Sequence, residues 1–168
     1  MLGFYENFPQ TIHFSVAYTY MVSTRKLQQS LIQILKETNR KNQTFEEVAI
    51  PTVPNSTVIF EWGIADASDF TSIDEDQAQK LLKTVEKKPL QIIDLFCNIR
   101  YYKNAAGKRQ PLKFDYYLTR LGFTQKKMLT VQVFHERGPR YLSPEDLTEF
   151  LVGKVNGTST RKTLQPVE

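Results

Sequence analysis

Residues 12–22, IHFSVAYTYMV, alternate with period two. Phe14, Val16, Tyr18, Tyr20 and Val22 fall on one face, and His13, Ser15, Ala17, Thr19 and Met21 on the other. This period, with its aromatic and β-branched content, predicts a strand. Ser23 or Thr24 can then cap a helix reaching about Asn39, in which Leu27, Leu31, Ile34 and Leu35 form an apolar stripe. Residues 44–50, TFEEVAI, suggest a short strand, and Pro51 and Pro54 punctuate the chain beyond it. Residues 57–64, TVIFEWGI, make a firmer strand with Val58, Phe60 and Trp62 on one face. Glu75 stands three residues after Ser72, a capping box that predicts a helix over 73–87 with Ala78, Leu81, Leu82 and Val85 inward. Its acidic start and lysine-rich end suit the helix dipole.

Three strands then come in close succession, over 90–103, 112–124 and 128–136. Their links, 104–109 and 125–127, are too short for parallel crossovers, so they form an antiparallel meander. Ser143-Pro144-Glu145-Asp146 is a strong helix start. That helix runs to about Val155 with Leu147, Phe150 and Leu151 inward, and Asn156-Gly157 stops it. The remainder, 158–168, reads as a flexible C-terminal tail. The element order is β-α-β-β-α-β-β-β-α. It predicts one α+β domain over 1–157, a mainly antiparallel sheet with helices packed mostly on one face. The first six elements share the order of a ferredoxin-like unit, a parallel of order alone.

Composition narrows the class. At 168 residues the chain suits one domain, and its 11 Phe and 8 Tyr are too many for a disordered chain. A single cysteine, Cys97, excludes a disulfide framework and a cysteine-clustered metal site. With only His13 and His135, no multi-histidine metal site can form. The start MLGFYENFPQ lacks the basic and apolar regions of a signal peptide, and no apolar run approaches the roughly 18 residues of a membrane span. The expectation is a cytoplasmic protein with no membrane partner. The sequons at Asn42, Asn55 and Asn156 then read as chance matches.

Charge changes the picture more. The net charge of +4 hides two unlike segments. Between Thr44 and Gln79 there are eight acids and no Lys or Arg. Between Cys97 and Lys127 there are eight bases against Asp115 alone, a balance of +7. A basic stretch on a predicted meander suits a polyanion; a fold that mixes both segments into solvated faces is the plainer account.

Residue alternation refines this. In the first meander strand Ile93, Leu95, Cys97 and Ile99 face the core, and Asp94, Phe96, Asn98, Arg100 and Tyr102 face away. In the third, Leu129, Val131 and Val133 face the core, and Thr130, Gln132, Phe134 and Glu136 face away. In the middle strand Phe114, Tyr116 and Leu118 read as inward, leaving Lys113, Asp115, Tyr117 and Thr119 outward. One sheet face would then carry Phe96, Tyr102, Tyr117 and Phe134 among Arg100, Lys113 and amide groups. Rings interleaved with cations are what a single-strand platform needs, since bases stack on rings while Lys and Arg hold phosphates. Lys103, Lys108, Arg109 and Arg120 add further cations. Against this stands a packing alternative, in which the last helix covers the face and Phe96 and Phe134 belong to the core.

Candidate catalysts are weaker. His135-Glu136-Arg137 is suggestive, but adjacent strand residues point to opposite faces. Glu61, Asp66, Asp69 and Asp74 could hold a hard cation only if clustered, and their spacing fits no calcium loop. Cys97 on an apolar strand face reads as a packed thiol. The leading expectation is therefore a non-catalytic module that binds single-stranded DNA or RNA, with no cofactor or metal. The alternatives are a protein–protein adaptor or homodimer, and an enzyme using His135 or the acidic cluster.

Overall fold

The computed structural model describes residues 1–158 and 161–167. Strand β1 (Phe14–Tyr20) keeps the predicted alternation, with Tyr18 and Tyr20 buried. Helix α1 (Thr24–Thr38) starts where Ser23 Oγ accepts from Lys26 N at 3.1 Å. Gln28 is fully buried inside it, its amide bonded to both the carbonyl and the N–H of Leu90. That pair satisfies a buried polar side chain and ties α1 to the chain entering the meander.

The predicted strand over 44–50 is corrected. Strand β2 (Asn42–Thr44) ends there and a single turn, α2 (Phe45–Val48), comes next. Thr44 Oγ1 accepts from Glu47 N, two acids sit in the first turn, and Phe45 is buried. A cap plus one apolar anchor outweighs weak alternation. Strand β3 (Ser56–Asp66) leads through a tight connection to β4 (Asp69–Ser72), a strand too short for its periodicity to mark it. Helix α3 (Glu75–Lys87) is capped by Asp74, whose Oδ1 accepts from Gln77 N at 2.8 Å; Ser72 instead belongs to β4.

The meander is β5 (Ile92–Ala105), β7 (Asp115–Phe123) and β8 (Met128–Arg137), with a short β6 (Lys108–Pro111) folding back on the end of β5. Helix α4 (Pro144–Asn156) begins at the Ser143 cap. The tail is also corrected: Leu164–Pro166 forms β9, antiparallel to β1, with Leu164 buried. Ser159, Thr160 and Glu168 of that segment lie outside the described residues.

All neighbours in the sheet are antiparallel, in the order β2-β3-β5-β7-β8-β1-β9, with β4 beside β3 and β6 beside β5. The ferredoxin-like likeness stays one of element order, because β1 lies between β8 and β9 and pairs with neither β3 nor β5. Helices α1, α3 and α4 join one core cluster with the inward strand residues. Phe60 stacks on Phe150 of α4 at 5.0 Å, and Trp62 Nε1 donates to Thr38 Oγ1 of α1 at 3.0 Å. The fold is thus a single α+β domain with its helices on one sheet face. Among the described residues no helix is long and apolar enough to cross a membrane.

Candidate nucleic-acid interface

Directly opposed residues of antiparallel strands share a face, so the register sorts the sheet. Glu61 lies opposite Asn98, Ile59 opposite Arg100 and Thr57 opposite Tyr102. Phe96 lies opposite Leu118, and Leu118 opposite Phe134. These residues face away from the helices; Leu118 is 6% exposed and the others are half-buried. The packing alternative does not hold: α4 sits against the other face, so Phe96 and Phe134 are not core residues beneath it.

The rings on the outer face form a row. Centroids are 4.7 Å apart for Tyr5 and Phe70, 5.6 Å for Phe70 and Phe96, and 5.7 Å for Phe96 and Tyr116. Phe114 continues it, 6.4 Å from Tyr116 and exposed. Guanidinium groups lie over these rings and their neighbours. Arg137 is 4.3 Å from the Tyr116 centroid, Arg109 is 4.4 Å from that of Tyr102, and Arg100 is 5.8 Å from that of Phe114. Such contacts orient a cation without neutralising it. Two polar atoms at this face, Asn98 Oδ1 and Arg100 Nε, are buried without a hydrogen-bond partner. Each costs about 1–3 kcal/mol if left unmet.

Of the ten residues singled out from sequence, Phe96, Arg100, Tyr102, Arg109, Arg120 and Phe134 share this face. Lys113 is exposed in the loop before β7. Lys103 lies opposite Gln110 and Lys108 opposite Ala105, so both belong by register to the other side of the exposed β5–β6 hairpin.

Tyr117 is a correction. It is fully buried on the helix side, where its hydroxyl donates to Leu142 O. The whole middle strand is inverted relative to expectation: Tyr117, Thr119 and Leu121 are inward, and Tyr116, Leu118 and Arg120 outward. Both parities of β7 carry apolar residues, and a bulge between Tyr116 and Tyr117 shifts the register at its start. The signal that was present is Arg120, a charge sharing its parity with Tyr116 and Leu118.

Arg120 is a strut rather than a phosphate contact. It grips Asp94 with two hydrogen bonds of 2.8 Å and lies 4.4 Å from the Phe8 centroid and 5.1 Å from that of Phe4. Asp94, nearly fully buried, also accepts from Tyr5 N at 2.7 Å. Together with Gly3, which bonds Ala65 O and Asp94 N, this pair pins the first residues across one end of the outer face. Gly3 has φ +88° and backs onto Ile92 O, where a Cβ would not fit. Pinned there, Tyr5, Asn7 and Pro9 wall a cavity of about 590 Å³ between themselves and Phe70, Phe96 and Phe134. Sequence reasoning missed the roles of Tyr5 and Phe70, because the first lies outside any periodic element and the second in a four-residue strand.

The unlike charge segments meet here. Glu61 of the acidic stretch lies 3.7 Å from Arg100 and 3.6 Å from Arg40. The other acids are spread out: Asp66 pairs with the N-terminal ammonium and Asp74 caps α3. Among the described residues no group of three or more His, Cys, Asp or Glu is placed to hold a metal ion.

The inward face holds a second polar cluster, behind the platform. Asp115, fully buried, accepts from Tyr101 Oη at 2.5 Å, from Arg140 N at 2.7 Å and from Tyr141 N at 3.0 Å, and lies 2.9 Å from His135 Nε2. Arg140 Nε donates to His135 Nδ1 at 3.1 Å, which leaves Nε2 as the donor to Asp115. Burial first, and then the Asp115 carboxylate, push the Tyr101 and Tyr117 phenols well above their ordinary range. Burial likewise raises the Cys97 thiol, which packs in the core. Partial burial, then the Arg140 charge, hold His13 below its usual value. As its backbone position requires, His135 points inward and Glu136 outward, so the two do not cooperate. The cluster fixes the 138–142 loop, with Gly138 at φ +119° against Phe114 O and Asp115, a space no side chain can share.

Comparison with protein-family models, curated proteins and solved structures finds no match to this chain. The functional reading therefore rests on the geometry of the two faces.

Proposed function

We propose that the outer sheet face binds single-stranded nucleic acid without catalysis. The observation that carries this reading is the row of rings from Tyr5 to Phe114, uncovered by any helix and flanked by guanidinium groups laid over aromatic faces. Bases stack on rings at about 1–3 kcal/mol each, and arginines fixed beside them meet the phosphates. Arg100, Arg109, Arg137 and Lys113 are the phosphate contacts in this reading, and Phe96, Tyr102, Tyr116 and Phe114 the stacking surfaces. DNA and RNA are both accommodated, because neither stacking nor phosphate contact uses the 2′-hydroxyl.

Fluorescence anisotropy with labelled oligonucleotides over a salt series tests it. Four cations on phosphates give a slope of log K against log salt of about −3, at ~0.7 per neutralised phosphate of a single strand. Absence of salt-sensitive binding at roughly 50 mM salt removes the reading. Sedimentation in the same buffers separates it from a homodimer formed through the same rings, which would change mass without any oligonucleotide.

A further inference from the structure

We propose that the cavity on the outer face is a base pocket that selects nucleobases bearing an exocyclic amino group. This rests on the single-strand reading and gives it a specificity. The cavity, about 590 Å³, has aromatic walls in Tyr5, Phe70, Phe96 and Phe134, and no Lys or Arg lines it. Its charged lining is two carboxylates, Glu61 and Glu136. Glu61 is met by Arg40 and Arg100 at 3.6 and 3.7 Å, so Glu136 is the uncompensated charge of the lining; a phosphate finds no cation within the space, and a flat uncharged ring finds aromatic walls. Arg137, Arg100 and Arg109 lie over Tyr116, Phe114 and Tyr102, outside the cavity lining. A strand laid along the row therefore keeps its phosphates on the arginines and turns one base into the cavity.

The carboxylates then set which base. An ionised carboxylate only accepts hydrogen bonds. Both arginines that approach Glu61 do so at Oε2, which leaves Oε1 to accept. Glu136 is exposed at the end of β8 and has no ion pair among the described residues. An amino group, as on cytosine or adenine, donates to these oxygens. A uracil or thymine presents a carbonyl at the same position, acceptor against acceptor, and is disfavoured.

Oligo(dC) and oligo(dU) of equal length probe this difference, because their rings match in size and differ at C4, amino against carbonyl, and at the adjacent N3, acceptor against donor. At neutral pH the protein binds oligo(dC) more tightly, by roughly fivefold, the worth of one net hydrogen bond. Glu136→Ala brings the ratio towards one while leaving the thermal midpoint unchanged, since the side chain is exposed. Equal affinity of the wild-type protein for both oligomers overturns the pocket and leaves the platform standing. Full discrimination retained in Glu136→Ala also overturns it. Binding of neither oligomer overturns the platform and the pocket together.

Discussion

The two faces of β5 are built from alternate residues of the same fourteen-residue strand, and they differ in nearly every physical respect. Inward, Ile93, Leu95, Cys97, Ile99 and Tyr101 are all at most 2% exposed and packed beneath helices. Outward, Phe96, Asn98, Arg100 and Tyr102 stay partly open, and two of them carry orphaned polar atoms. Polar groups are treated oppositely as well. Asp115 on the inward face has a full set of hydrogen-bond partners and holds a loop in place. Glu61 on the outward face shares one oxygen between two arginines at long distance. Inside, the Asp115 cluster meets its own demand and is structural, although Thr119 Oγ1, also inward, is left without a partner. Outside, the partly exposed side chains of Glu61 and Arg100 keep contact with solvent and are available for recognition.

Substitutions on each face should separate stability from binding. The largest effect is expected from Trp62→Ala, which empties a fully buried site between β3 and α1; chemical denaturation should show a loss of about 3–5 kcal/mol. Tyr101→Phe should cost about 1–3 kcal/mol at neutral pH, through the lost bonds to Asp115 and Leu142 N.

The same tyrosines predict an alkaline response. Their folded values lie above the unfolded value near 10, so the folded chain keeps protons the unfolded chain releases. Stability is then flat below about pH 10 and falls above it, by up to ~1.4 kcal/mol per pH unit for each phenol. Urea midpoints between about pH 8 and 11 check this, with Tyr101→Phe giving the shallower decline.

On the outer face, Phe96→Ala should weaken oligonucleotide binding by about 1–3 kcal/mol, read by anisotropy, with a smaller loss of stability than Trp62→Ala. Arg109→Ala is the mildest: stability should stay within about 0.5 kcal/mol, and the salt slope should flatten by ~0.7. A stability loss on the outer face as large as that for Trp62→Ala would erase the distinction between the faces.

Much of the fold could be read locally. The alternation of 14–20 and 92–101, the Ser23 and Ser143 caps and the apolar stripes of α1 and α4 all act within a few residues, so the sequence determined these elements by itself. Six of the ten proposed interface residues share the outer face: period two in β5 and β8 places Phe96, Arg100, Tyr102 and Phe134 together for the same reason, Arg109 joins them across the hairpin, and Arg120 comes with the inverted β7. What the tertiary structure decided depends on partners far away in the chain. Either parity of β7 could have faced the core; Asp115 and Tyr117 were drawn inward by Tyr101, His135, Arg140 and Leu142. The Asp94–Arg120 pair laid Tyr5 against Phe70 and so built the cavity wall. The gathering of all three long helices on one side left the aromatic row uncovered. Periodicity and caps record how a segment meets its own neighbours, whereas a face becomes core or surface only when distant hydrogen-bond and packing partners choose it.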